Sequence, residues 1–242
     1  MRAVALILFT LFTGALLAQT PVNRTYPVNA GQKISLRFDY PELVKITTWD
    51  KNEIAIVGSV SINSGESDDV FELIQSTSGN TIYIENVIRN LKNLPKRITV
   101  TRGGEKLVFK SEDDYRKYCK ETGSDFNVKS WGVDMDILLE VKVPKNIETK
   151  LECVYGIAEV KNFFGPLTVE ATYGGIDVSV QETTTGELRA ETNYGQIYSN
   201  LDLKFTGSEF KDFHTVVSAK PGAGSRYSFE SKYGNVYLRK AM

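Results

Sequence analysis

The stretch Leu167-Thr168-Val169-Glu170-Ala171-Thr172-Tyr173-Gly174-Gly175-Ile176-Asp177-Val178 decides the fold class of this chain. Up to the tyrosine, Leu167, Val169, Ala171 and Tyr173 share one parity, and Thr168, Glu170 and Thr172 share the other. Successive side chains of a strand point to opposite faces, so this alternation predicts a half-buried strand. After Tyr173-Gly174 the apolar set resumes at Ile176 and Val178, on the opposite parity. A glycine at such a flip supplies backbone freedom for a corner or bulge. The unit is therefore strand, corner, strand.

The unit recurs. Glu-x-x-Tyr-Gly occurs at Glu152 to Gly156, Glu170 to Gly174, Glu191 to Gly195 and Glu230 to Gly234, with the glutamates 18, 21 and 39 residues apart. The long last interval predicts one degenerate copy near His214. Beyond each tyrosine the apolar set resumes at the third residue, at Ala158, Ile176, Ile197 and Val236. One unit cannot bury its own apolar face, whereas stacked units can. Two architectures satisfy the pattern: a meander of hairpins, or a β-solenoid, a single-stranded β-helix-like stack of short strands about 4.8 Å apart. Identical residues recurring once per turn favour the solenoid, because in-register stacking requires them.

Outward from 149–240, where the repeats are clearest, period two continues to dominate. Ile34, Leu36 and Phe38 alternate with Lys33, Ser35 and Arg37, and Ile54 with Ile56, Ile82 with Ile84 and Ile98 with Val100 follow suit. One stretch departs. Ser111-Glu112-Asp113-Asp114 opens a segment that ends at Gly123, the pattern of a capped helix with acids in its first turn. It sits within a charged excursion, 102–130, so the expected class is all-β with one short helix. Residues 19–242 read as one domain.

Met1-Arg2 followed by the apolar run Ala3 to Leu17 reads as a secretory signal peptide, residues 1–18. The run is shorter than the roughly 20 apolar residues of a membrane span. Leu16 is large for a cleavage site, which makes an uncleaved anchor the alternative. No later stretch is apolar enough to cross a bilayer, so no transmembrane segment follows cleavage, and the periplasm or the cell exterior is the expected location. The composition, 41% hydrophobic and 24% charged, excludes disorder as the main state. A net charge of −1 provides no basic field for nucleic acid. One histidine and two cysteines are too few for a zinc centre of four cysteines, or of two cysteines and two histidines.

The corner units Tyr-Gly-Ile-Ala-Glu-Val, Tyr-Gly-Gly-Ile-Asp-Val and Tyr-Gly-Asn-Val-Tyr-Leu resemble repeats of the exported bacterial family labelled "putative adhesin", a domain of unknown function. The stretch Lys45 to Ile56 resembles that family's N-terminal strand pair, and Val141-Lys142-Val143-Pro144 the strand leading into its repeats. The resemblance spans most of residues 28–240 apart from the helical excursion. It implies a β-solenoid-like fold, no catalytic residues, and a binding or structural module of adhesin-like type at the cell envelope, whose partner is an envelope protein or glycan.

The runner-up is a carbohydrate-active β-helix enzyme, a polysaccharide hydrolase or lyase, which needs paired carboxylates. Asp134 and Asp136 share one side of a predicted strand, but alternation alone puts polar residues on a solvated face there. Asp68-Asp69 reads as a loop, and His214 lacks a Ser-His-Asp context. No catalytic, cofactor or metal site is therefore expected. Cys153 shares the core parity and reads as a buried free thiol, with Cys119 on the helix; export would permit a bridge between them. Tyr155, Tyr173, Tyr194 and Tyr233 lie on the apolar parity and are expected to fill the corners as core, so that Tyr194→Ala costs roughly 3 kcal/mol. A sugar-stacking platform is their alternative role. Glu152, Glu170, Glu191 and Glu230 form an outward column about 5 Å apart, where like charges repel. Lys150, Arg189 and Lys232 are the expected counter-ions; calcium or a cationic partner surface is the sharper alternative.

Overall fold

The fold is taken from a computed structural model, which describes residues 19–126, 128–211 and 213–241. The segment read as a signal peptide lies outside these residues. The strands are β1 (Thr20–Pro27), β2 (Lys33–Phe38), β3 (Leu43–Trp49), β4 (Glu53–Ile62), β5 (Phe71–Ser78), β6 (Thr81–Ile88), β7 (Arg97–Arg102), β8 (Glu105–Phe109), β9 (Lys129–Gly132) and β10 (Met135–Pro144). The second half adds β11 (Thr149–Tyr155), β12 (Ile157–Val160), β13 (Leu167–Tyr173), β14 (Ile176–Val180), β15 (Thr185–Thr192), β16 (Ile197–Ser199), β17 (Thr206–Lys211), β18 (His214–Ala219), β19 (Ser225–Ser231) and β20 (Val236–Lys240).

Among the described residues the chain is all-β apart from short turns and one α-helix, α1 (Glu112–Thr122). A nine-stranded sheet runs β17-β18-β15-β19-β13-β11-β2-β6-β5, an eight-stranded sheet runs β1-β4-β10-β3-β12-β14-β20-β16, and a small one runs β8-β7-β9. Both large sheets are mixed and neither closes. Their middles are parallel, from β15 to β6 and from β10 to β16, while β17, β18, β5, β1 and β4 pair antiparallel at the ends. The solenoid favoured over a hairpin meander on sequence grounds stacks its strands in parallel, and the antiparallel ends depart from it.

Alternation works as the residues dictate. In β13 the buried set is Leu167, Val169 and Ala171, with Thr168 and Glu170 half-exposed between them. The inward residues of both large sheets, among them Phe38, Leu151, Val169 and Phe229 from one and Ile46, Ala158, Val178 and Leu238 from the other, form one continuous core. Burying a side chain of this size stabilises the fold by about 1.5–3 kcal/mol.

Three expectations about order need correction. β19 and β20 do not follow the third unit in space: β19 sits between β13 and β15, and β20 between β14 and β16. Residues 206–219 supply no degenerate parallel unit; they form the antiparallel hairpin β17–β18 against the far side of β15. Equivalent Tyr-Gly units carry the same edge pattern, so any one can pair with any other, and sequence order alone does not rank them. Similarly, β3 and β4, the strands expected as a pair, are separated by β10, which runs parallel to β3 and antiparallel to β4.

The excursion folds as its signals predict. The Ser111 hydroxyl accepts a hydrogen bond from the Asp114 amide, and Gly123 ends α1 in the left-handed region at φ 62°. Ile98, Val100 and Tyr115 make a separate small core there, with Phe109 and Phe126 against it.

Candidate functional site

The register of the parallel strands brings like residues side by side. Glu152 lies opposite Glu170 and Tyr155 opposite Tyr173; Glu170 and Glu191 both face Glu230. At the corners the rings stack in the order Tyr40, Tyr155, Tyr173, Tyr233, Tyr194, Phe213, with centroids 5.1, 5.0, 5.2, 5.1 and 5.9 Å apart. From Tyr40 to Tyr194 successive planes lie within 17° of parallel.

This ladder is on the surface, which overturns the core role expected of Tyr155, Tyr173, Tyr194 and Tyr233. Their exposures are 40%, 53%, 60% and 46%. Parity holds through the buried Cys153 and Ala171 and is lost at the tyrosine because the chain turns there. The rings leave the core at the bend and bury their faces against one another.

The glycines after the tyrosines have a sharper function than bending. A Cβ on Gly174 would lie 1.6 Å from the Gly156 carbonyl oxygen; one on Gly234, 2.1 Å from that of Gly174; one on Gly195, 2.1 Å from that of Gly234. Of these four glycines, Gly156 alone has a positive φ, +85°. Close approach between neighbouring corners, more than a left-handed backbone, requires the absence of a side chain.

The glutamates face outward as expected, and cations interleave with most of them. Lys150 Nζ lies 2.8 Å from Glu152 and 3.0 Å from Glu170, and Arg37 reaches Glu152 at 2.8 Å. Glu191 is paired to Arg189 and, at 2.7 Å, to His214 Nε2. Burial pushes the Glu152 carboxyl up, but Lys150 and Arg37 outweigh it and the net shift is downward. For Glu191 burial again opposes, and the hydrogen bonds from His214 and Arg189 prevail to lower it. Lys232 does not serve as expected: its ammonium lies over the Tyr233 ring, 5.6 Å from the centroid. Among the described residues, no group of three or more His, Cys, Asp or Glu is placed to hold a metal ion.

The remaining candidates take structural places. Asp134 is 5% exposed, not on a solvated face, because it precedes β10 and turns inward. Lys106 bridges it and Asp136 at 2.6 and 2.8 Å. Burial lowers the Lys106 ammonium's pKa, and hydrogen bonds to the two carboxylates raise it by more. Asp68 lies in the short turn Asp68–Val70 and accepts hydrogen bonds from the Ile62 amide and the Thr20 hydroxyl. His214 is half-buried on β18. Cys119 and Cys153 are both free thiols; burial, and secondly the Asp39 carboxylate, push Cys153 up to about 12.

Sequence reasoning missed Tyr40, Phe213, Arg37 and the pairing of His214 with Glu191. Tyr40 carried a faint signal, since Phe38-Asp39-Tyr40-Pro41 ends a strand on an aromatic before a turn residue. The other three are joined to their partners only by long-range register.

The geometry defines a class: an all-β protein with two mixed sheets over a common core and an exposed aromatic ladder along its corners. Two solved structures are similar to this chain. One is described as a "putative cell adhesion protein" from Clostridium sporogenes ATCC 15579, with 11% identity, coverage of 92% of this chain and 100% of that one, and a TM-score of 0.49. The other is described as a "putative adhesin" from Bacteroides fragilis NCTC 9343, with 10% identity, coverage of 92% and 98%, and a TM-score of 0.23. No protein-family model and no curated protein matches the chain. No helix among the described residues is long and apolar enough to cross a membrane.

Proposed function

We propose that this chain is an exported, non-enzymatic protein of adhesin-like type, acting as a binding or structural module at the bacterial cell envelope, and that its parallel middle is a short β-solenoid. The observation that carries the reading is the aligned ladder. Rings from successive units stand about 5 Å apart with their faces turned to one another, so the ladder stiffens the corners and leaves a strip of ring edges and hydroxyls facing solvent. A rigid row of like groups suits an extended partner with its own repeat. Sugar stacking along the strip is disfavoured, because the inner rings have no free face.

The test uses the mature chain, residues 19–242. Incubated with isolated cell walls and with outer-membrane vesicles, it is expected to co-sediment with one of them, and a Tyr173→Ser/Tyr233→Ser double variant to be retained less. Mass spectrometry of protein secreted by an expressing bacterium is expected to show a chain that starts at Gln19. No retention by either preparation would overturn the binding role. Reducing-sugar release from a polysaccharide panel would overturn the non-enzymatic one and establish the carbohydrate-active alternative.

A further inference from the structure

The inner rings of the ladder are stacked on both faces, whereas Tyr40 has, among the described residues, a single ring partner, Tyr155. At this end the corner adjoins a groove of about 630 Å³ lined by Tyr40, Tyr155, Leu91, Val133 and Met135 together with Lys92 and Lys96. Both lysines are exposed, on the segment that begins with the short turn Leu91–Asn93. Among the described residues neither is paired with a carboxylate, in contrast to Lys150 and Lys106, which each bridge two. Tyr40 is itself held in the left-handed region at φ 66°. A bulky residue rarely adopts that conformation, and it persists only where the surroundings over-determine it. Here the stack on Tyr155 and the anchored neighbour Asp39, whose amide and carbonyl both bond the Asn86 side chain, hold the ring.

We propose that this groove binds a carboxylated sugar, a uronic-acid unit of an acidic glycan. The face of an aromatic ring is electronegative, so the end of the ladder attracts the C–H face of a pyranose, and Leu91, Val133 and Met135 extend that apolar contact. The sugar's hydroxyls stay in water at the open side. Its carboxylate meets the Lys92 and Lys96 ammonium groups in charge-assisted hydrogen bonds. A simple anion would leave the ring and the apolar lining unused, and a neutral apolar ligand would leave both cations unused; the uronic acid satisfies both sets. Because stacking fixes the Tyr40 ring in advance, little side-chain freedom is lost on binding. This inference rests on the reading of the chain as a binding module and names the ligand class at one end of its ladder.

The experiment is calorimetric titration of the mature chain with trigalacturonate and with its neutral counterpart galactotriose. Trigalacturonate is expected to bind at least about tenfold more tightly, the equivalent of one charge-assisted hydrogen bond, and to weaken with added salt. Lys92→Gln/Lys96→Gln is expected to bring the acidic probe to the neutral level without changing the melting temperature, since both sites are exposed. Tyr40→Asn, which tolerates the left-handed backbone, is expected to lose both probes, and Tyr40→Phe to keep them. Equal affinity for the two sugars, unchanged binding by the lysine variant, or equally tight binding of trimeric glutamate would overturn the proposal. Absence of trigalacturonate binding with cell-envelope retention intact removes the groove assignment and leaves the binding module standing; absence of both removes the two together.

Discussion

The Tyr-Gly corners and the helical excursion bury and align their residues in different ways. Along the corners each residue meets its own kind: glycine on glycine, glutamate beside glutamate, and tyrosine on tyrosine at 5.0–5.2 Å with planes 4–17° apart. In the excursion unlike shapes interlock, with Phe109 edge-on to Tyr115 at 73° and tilted by 53° against Tyr118. Like-on-like stacking propagates a good fit from unit to unit, and it propagates a misfit equally. A corner residue must suit two copies of itself, so tolerance there is set by the closest approach. Unlike packing makes a contact unique and confines the consequence of a change to its own neighbours.

The largest effect that separates the two regions is expected from glycines. Gly234→Ala would drive a Cβ to 2.1 Å from the Gly174 carbonyl oxygen, and backbone cannot yield as a flexible side chain can. A loss of roughly 3 kcal/mol or more, or failure to fold, is expected. Gly103 in the excursion has a left-handed φ of +59° and open space around it, so Gly103→Ala is expected to cost only about 1–2 kcal/mol. Urea denaturation of both variants measures the difference, and equal losses would break the comparison.

Rings come next. Tyr173 is stacked on both faces but 53% exposed, and its removal leaves a gap open to water in place of a sealed cavity. Tyr173→Ala is expected to cost about 1–2 kcal/mol, the order of two stacked contacts. The same reasoning replaces the larger cost expected of Tyr194→Ala on the assumption of a core site. A Tyr173→Phe variant of unchanged stability would show that ring stacking, not the hydroxyl, is what stabilises the corner.

The glutamate column should then be visible in acid. Glu152 and Glu191 are held below the ordinary carboxylate value of 4.5. A depressed folded-state pKa contributes stability that is present above the unfolded value and is lost as pH falls through the folded one. The melting temperature is therefore expected to be flat from neutral pH down to about 5 and to fall below about 4.5. Glu191→Gln should make that acid limb shallower, by removing the carboxylate that pairs with Arg189 and His214. An identical limb in the variant would locate the acid sensitivity elsewhere. The smallest effect is expected from metal. Lys150 and Arg37 together already balance the charges of Glu152 and Glu170, so excess chelator followed by millimolar calcium should leave the melting temperature unchanged. A calcium-dependent rise would show a ligand bound only by the folded state.

Much of this was legible in local chemistry. Parity marked Leu167, Val169 and Ala171 as inward and Glu170 as outward, Tyr-Gly marked each corner, and Ser111 with Gly123 marked the two ends of the helix, because each signal depends on residues within a few positions of one another. The ladder's membership was only half legible: four tyrosines shared a motif, while Tyr40 and Phe213 join through position alone.

By itself the sequence determined which residues face the core within the strands up to each corner, where the chain bends and which residues are equivalent, since backbone period and glycine content act locally. Only the tertiary structure decided that the last unit inserts between the second and third, that His214 meets Glu191, and that the tyrosines emerge to stack in the open with Tyr40 as the free end. Equivalent units have interchangeable edges, so their order is a difference between whole arrangements, one that no single stretch of residues encodes.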